Sequence, residues 1–260
     1  MAPAQLGIPQ IIWALGLMAI ALGLSLWQRL GLEGRLLMAT CRAVVQLLVV
    51  GYLLATVFAL RDPWLVLAVL GVMLLTATLV ARNRISKEIP ALTWLVGSAI
   101  FLSTLLTLTY VQLLVVQSDP WYEPQYLIPL AGIVLGNAMN AAAIAGERFV
   151  STLKTSRLDL ETHLCLGASP RQAVQQLRRE AIQASLIPIL NQMLVVGVVT
   201  LPGIITGQIL AGADPLTAAL YQMVILVMLA FADLVTALLV IEGIFRQSFN
   251  AAAQLTSSVD

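Results

Sequence analysis

Few side chains in this chain could carry chemistry, and they are unevenly placed. The single histidine, His163, lies in the stretch LETHLCLGASPRQAVQQLRREA, residues 160–181. Glu161, Cys165, Arg171, Arg178 and Arg179 share that stretch, and Arg157 stands just upstream. None of the familiar hydrolytic constellations is present: there is no H-E-x-x-H, no G-x-S-x-G, and Asp233 has no second buried aspartate for an acid dyad. The phosphate-cradling pattern G-x-x-x-x-G-K-[ST] is also missing, because Lys87 and Lys154, the only lysines, lack its glycine frame. The chain therefore reads as a non-enzyme with no ATPase site of its own. One lone imidazole outside the apolar runs offers no metal site within them.

These groups are embedded in an apolar background, 60% hydrophobic and 10% charged, with a mean hydropathy of +0.93. Soluble domains sit near ~45–50% apolar and ~25% charged. That excess leaves too little polar surface for a soluble globule, and several runs reach the ~20 apolar residues that a bilayer core demands. A net charge of +1 gives no reason to expect nucleic acid. Cys41 and Cys165 make no disulfide framework. The N-terminus has no basic region before its first apolar run, so that run is expected to stay as a span.

The reading is all-α and polytopic, with about seven transmembrane helices near 8–27, 36–60, 64–81, 92–116, 126–146, 182–211 and 216–241. None shows the alternation of a barrel strand. Counted between spans, alternate segments hold twelve Lys and Arg residues against one, with Arg42 inside a span. The positive-inside rule then places the N-terminus outside and the C-terminus in the cytosol. Residues 147–181 become the largest cytoplasmic feature of a single transmembrane domain, 1–260. A basic cytosolic loop accounts for the arginines but not for the order within the segment.

That order is helical. Val150, Leu153, Leu160 and Leu164 fall on one stripe, so the fifth span is expected to continue into the cytosol as an amphipathic helix. Gly167 stands where a helix stop is expected. Ser169, Pro170 and Gln172 then open a second helix with a capping box and a proline at the first position, running through Arg178 and Arg179 into the sixth span. A helix, a turn and a helix between two spans fits a knob that docks into a groove on a cytosolic partner; a self-packing helical hairpin is the alternative.

Polar groups inside spans are costly and so are candidates for function. At ~1.5 Å per residue, Asn137 lies ~17 Å from the outer end of the fifth span, Asn191 ~14 Å from the inner end of the sixth, and Gln46 ~15 Å from the inner end of the second. All three reach the midplane of a ~30 Å core. Met139, Asn140, Gln192 and Met193 sit beside them. This set could line a pathway, or serve as hydrogen-bonding glue between helices. Arg42 and Asp233 both fall ~9–12 Å from the cytoplasmic side and could neutralise one another; Arg42 could instead snorkel. Glu242 and Arg246 read as an i,i+4 surface pair. The thirty-residue sixth run is too long for an untilted crossing, with breaks expected at Pro188 and Pro202-Gly203. Residues 202–211 are then kinked or re-entrant, with Gln208 near an outer gate.

Several stretches carry a resemblance to a known family. Glu161 and Gly167 are spaced as in the coupling loop of ABC transporter permeases, although Thr162 and His163 replace its two alanines. The runs LGNAMNAAAIAGER (135–148), LGASPRQAVQQLRREAIQASLIPILNQM (166–193) and LPGIITGQILAGADPLTAALYQ (201–222) resemble the FetB (YbbM) family of ABC permeases, described as iron exporters. Plant relatives of that family are linked to aluminium tolerance. The resemblance implies a separate cytosolic ATP-binding subunit carrying ATP and magnesium, and residence in the plasma (bacterial inner) membrane. Because one seven-helix chain offers little room for a pore, a homodimer in a two-plus-two assembly is the simplest arrangement by symmetry. The resemblance also implies coupling contacts at Arg157, Glu161, His163, Leu164, Gly167, Ala168, Ser169, Pro170 and Arg171. Iron comes from the resemblance alone. A small polar organic solute fits the residues equally well, and a non-transporting membrane scaffold is a further alternative.

Overall fold

The computed structural model describes residues 8–60, 62–86, 89, 91–117, 120–250 and 254–255. Arg61 and Lys87, two of the cations counted for orientation, lie outside the described residues. The described chain is helical throughout, with only two isolated β-bridges, Val196 to Thr200 and Phe249 to Leu255. It divides into two compact units, Met1–Arg61 and Asp62–Asp260.

The first unit holds α1 (Ile8–Trp27) and α2 (Glu33–Leu60), packed as a hairpin. Its turn needs left-handed backbone at Arg29 and Gly31. The buried Ser25 hydroxyl donates to Glu33 Oε1 at 2.8 Å, tying the end of α1 to the start of α2.

The second unit holds α3 (Pro63–Ile85), α4 (Leu92–Val111), α5 (Pro124–Thr155), α6 (Arg157–Cys165), α7 (Pro170–Ala173), α8 (Gln175–Val195), α9 (Gly203–Leu210) and α10 (Pro215–Ser248). A π-helical turn, Gln112–Val116, ends α4. Three of these helices begin the same way, with an acidic or hydroxyl cap followed by proline. Asp62 accepts from the Trp64 amide at 2.9 Å, Asp214 from the Thr217 amide at 3.0 Å, and Ser169 from the Gln172 amide at 3.4 Å. Each cap satisfies a helix-end N–H, and the proline after it has no N–H to leave unpaired.

The helix ends sort into two apolar clusters. Ile85, Leu92, Phe149, Leu153, Val174 and Ile244 share one. Val111, Leu130, Val134, Ile189 and Ile225 share the other. The end of α3, the start of α4, the end of α5, the start of α8 and the end of α10 therefore meet at one pole. This is the up-and-down arrangement that alternating spans require. At the centre is α5, which packs against α3, α4, α8 and α10.

Among the described residues, five helices are long and apolar enough to cross a membrane: Glu33–Leu60, Pro63–Ile85, Leu92–Val115, Pro124–Thr155 and Pro215–Ser248. The first expected span appears as the apolar helix Ile8–Trp27. The sixth does not form as one run of 182–211. Pro188 lies within α8 without ending it, and the helix stops at Val195. A tight turn follows, with Gly197 at φ +79°. The amides of Val198, Val199 and Thr200 all donate to the Val195 carbonyl, so this turn satisfies its own N–H groups. Pro202 then caps α9, whose eight residues span only ~12 Å, too short for a crossing.

Candidate functional site

The polar segment forms a compact knob, though not as one continued helix. The fifth helix ends at Thr155, and Ser156 leaves helical geometry at φ −100°, ψ 19° before α6 begins. The expected apolar stripe is still used, since Val150, Leu153 and Leu160 are buried and Leu164 is half-buried. Gly167 ends α6 at φ +91°, a backbone state that glycine adopts without a Cβ penalty. Its amide donates to the Leu164 carbonyl and the Ala168 amide to the His163 carbonyl, the two bonds of a Schellman stop. Ser169 and Gln172 make the reciprocal capping box that opens α7. Val174, fully buried, marks a slight break before α8, so the second helix is two pieces rather than one.

Of the expected coupling residues, Arg157, His163, Gly167, Ser169 and Arg171 are exposed, and Glu161, Leu164, Ala168 and Pro170 are half-buried. Arg157 Nε donates to Glu161 Oε1 at 2.9 Å across one turn of α6. The apolar side chains that protrude are Leu158, 80% exposed, and Leu166, 82% exposed. Leu164 faces inward by comparison.

A second feature sits where α7 and α8 meet α10. Glu242 accepts from Arg178 Nη2 at 2.7 Å, Arg246 Nε at 3.0 Å and Arg171 Nη2 at 3.1 Å. The Arg178 guanidinium also lies over the Phe245 ring, 5.2 Å from its centroid. The pair expected between Glu242 and Arg246 alone is thus a hub that ties the knob to the last span.

Of the amides expected at membrane depth, Asn137, Asn140, Asn191 and Gln192 lie on two helices that pack together, α5 and α8. Asn137 is half-buried and its Nδ2 donates to the Ile133 carbonyl at 2.9 Å, one turn back on its own helix. Asn140 and Asn191 are exposed on this unit, Met139 and Gln192 half-buried. Gln208 is half-buried on α9, and Gln46 is exposed on α2 in the first unit. Arg42 also stands on α2, whereas Asp233 is buried on α10 in the second unit. Oδ1 of Asp233 has no hydrogen-bond partner among the described residues. Near it in sequence, the Thr236 hydroxyl donates to Ser103 Oγ at 2.6 Å, a fully buried polar contact between α10 and α4.

The profile of an uncharacterised protein family, UPF0014, matches residues 8–249. The chain belongs to the UPF0014 family. The "UPF0014 membrane protein slr1647" of Synechocystis is 47% identical over 251 residues, covering 96% of this chain and 97% of its own length. The "Protein ALUMINUM SENSITIVE 3" of Arabidopsis thaliana is 34% identical over 247 residues, 95% of this chain and 89% of its own. The "Probable iron export permease protein FetB" of Escherichia coli is 31% identical over 247 residues, 93% of this chain and 92% of its own. No solved structure matches the chain significantly. The sequence resemblance and these relatives agree, and this UPF0014 protein is a multi-pass membrane protein.

Three features of this UPF0014 chain escape a reading of the sequence. Leu158 and Leu166 could have been found, because neither falls on the stripe that buries Leu153 and Leu160. The Glu242 hub beyond its Arg246 pair could not, since the other two partners, Arg171 and Arg178, lie 71 and 64 residues away. The Ser103–Thr236 contact spans 133 residues and gives no local signal either.

Proposed function

We propose that this chain is the membrane-spanning permease subunit of an ABC transporter. It crosses the plasma (bacterial inner) membrane seven times, with the N-terminus outside and the C-terminus in the cytosol. A separate cytosolic subunit binds and hydrolyses ATP with magnesium. Two permease chains and two ATP-binding chains make the assembly, since one small helical unit offers little room for a pore and closed two-fold symmetry is the simplest solution.

The observation that carries this reading is the knob at residues 157–172. Stops and caps define both of its helices, it presents Leu158 and Leu166 outward, and Glu242 braces it to the last span. A groove on a partner takes such a helix–turn–helix, with the leucines as anchors. The printed name of the Escherichia coli relative supports permease activity and makes iron the cargo to test first. A small polar organic solute is the second reading. The exposed amides of Asn140 and Asn191 suit it equally well, because they hydrogen-bond such a solute as readily as they ligate a cation.

The test is co-purification of the chain with its ATP-binding subunit in lipid, followed by ATPase assays with iron and with a panel of polar solutes. Gly167→Val should keep the spans inserted while separating ATP hydrolysis from transport, because a β-branched residue is strained at φ +91°. Full coupling in that variant would remove the knob from the mechanism. Stimulation by no cargo would return the chain to a scaffold role.

A further inference from the structure

The pole that gathers the helix ends carries a cavity that borders the Glu242 hub and lies apart from the expected coupling face and the amides. It holds about 300 Å³ and opens between the start of α4 and the end of α10, where Leu95, Ser98, Leu102 and Leu239 line its wall and Glu242 and Arg246 its mouth. We propose that this cavity binds an anionic phospholipid of the cytoplasmic leaflet, its phosphate on the arginines and the first part of an acyl chain along the leucines. The choice of leaflet rests on the inward C-terminus proposed above; the site needs neither transport nor a partner.

Charge is the first reason. Three guanidinium groups surround one carboxylate, and Glu242 takes a single N–H from each of Arg171 and Arg246. A guanidinium has several donors in a planar fork, suited to two phosphate oxygens at once. The side chain of Arg246, at the mouth of the cavity, is 72% exposed and has access to a headgroup, while Arg171, 68% exposed on the same carboxylate, adds positive charge nearby. Arg178 is held in place by Glu242 and Phe245, which fixes the carboxylate that the other two share.

Shape and depth are the second reason. From Leu95 to Leu102 the apolar wall runs ~10 Å along α4, away from the charged mouth. Leu239 continues it on α10, one turn before Glu242. A free anion would use the arginines and leave that wall empty, whereas a lipid uses both. Trp94, 84% exposed, projects from α4 beside Leu95. Exposed tryptophans sit at the headgroup level of a bilayer, and this one places the mouth of the cavity at that level. Basic pockets between helices on the cytoplasmic side are a recurrent form of anionic-lipid recognition.

The test uses the purified full chain in detergent, with native mass spectrometry after titration of phosphatidylglycerol, phosphatidylcholine or inorganic phosphate. Phosphatidylglycerol should be retained in preference to phosphatidylcholine, and millimolar phosphate should not displace it. Arg246→Gln should lower its retention about fivefold, the loss expected for one cation at a membrane surface. Leu102→Trp should lower it too, by filling the groove from a position already part-exposed. Equal retention of the two lipids, or unchanged retention in Arg246→Gln, would overturn the proposal. Displacement by inorganic phosphate would assign the arginines to a soluble anion and overturn it as well. Because no ATP and no partner enter the measurement, its failure would leave the permease reading untouched.

Discussion

At Glu242 one carboxylate meets three arginines, and burial decides which of the pairs matters. The side chains of Arg178 and Glu242 are 23% and 25% exposed, while Arg171 is 68% exposed. Exposed ion pairs are screened and contribute ~0–1 kcal/mol. A charge-assisted bond with less solvent around it contributes more, ~1.5–3 kcal/mol, and here the stacking on Phe245 adds to it. Arg178→Met should therefore destabilise the purified protein by ~1–3 kcal/mol, and Arg171→Met by less than ~1 kcal/mol. Thermal unfolding in detergent reads both; equal losses would show that burial does not rank these contacts. The sequence shows Glu242 and Arg246 one turn apart and nothing more, because a contact between residues 64 or 71 apart depends on how three helices pack. Gly167 and Ser169 are the opposite case. Their roles follow from local backbone sterics and capping chemistry, and both are legible in seven consecutive residues.

At the scale of elements, the starts of helices are legible and their continuity is not. The Asp-Pro and Ser-Pro pairs mark the onsets of α3, α7 and α10 because the cap and the proline act within one turn. The break at Ser156 carries no such punctuation, and the one at Val196 is marked only by Gly197 while hydropathy runs straight through it. Proline misleads in the same region: Pro188 sits inside α8, in an expected crossing that neighbouring helices support. The break at Ser156 has a consequence for the knob. It sets α6 apart from α5, leaving Leu158 and Leu166 outward while Leu160 stays buried. A double variant, Leu158→Ser with Leu166→Ser, should leave thermal stability within ~0.5 kcal/mol of the parent, as for other surface changes. It should also abolish co-purification of the ATP-binding subunit. Retained binding at parental levels would place the contact elsewhere on the cytoplasmic side.

For the whole molecule, the question is which pole faces the cytosol and where a cargo crosses. Charge asymmetry in the sequence supports the proposed inward C-terminus, and the gathering of alternate helix ends at one pole is compatible with it. Cys165, exposed on the knob, provides a native probe. In a Cys41→Ser background it should react with a membrane-impermeant thiol reagent in inside-out vesicles and resist it in intact cells. Labelling of intact cells would reverse the orientation.

The crossing point is harder, because an amide at membrane depth serves as glue or as a pathway with the same residue type. The structure separates the candidates by what each amide already does. Asn137 spends a donor on its own helix at Ile133, whereas Asn140 and Asn191 are exposed on helices that pack together. An amide facing hydrocarbon would be unsatisfied at a cost of several kcal/mol. Asn140 and Asn191 therefore need water, cargo or a second chain against them. Cysteines placed there, in a background lacking Cys41 and Cys165, should react with a small water-soluble thiol reagent. Their reactivity should change when ATP and the partner subunit are added, while a cysteine at 137 should react more slowly. Protection of 140 and 191 in every state, with transport intact after both become alanine, would make them helix contacts and move the search for the pathway to Asp233.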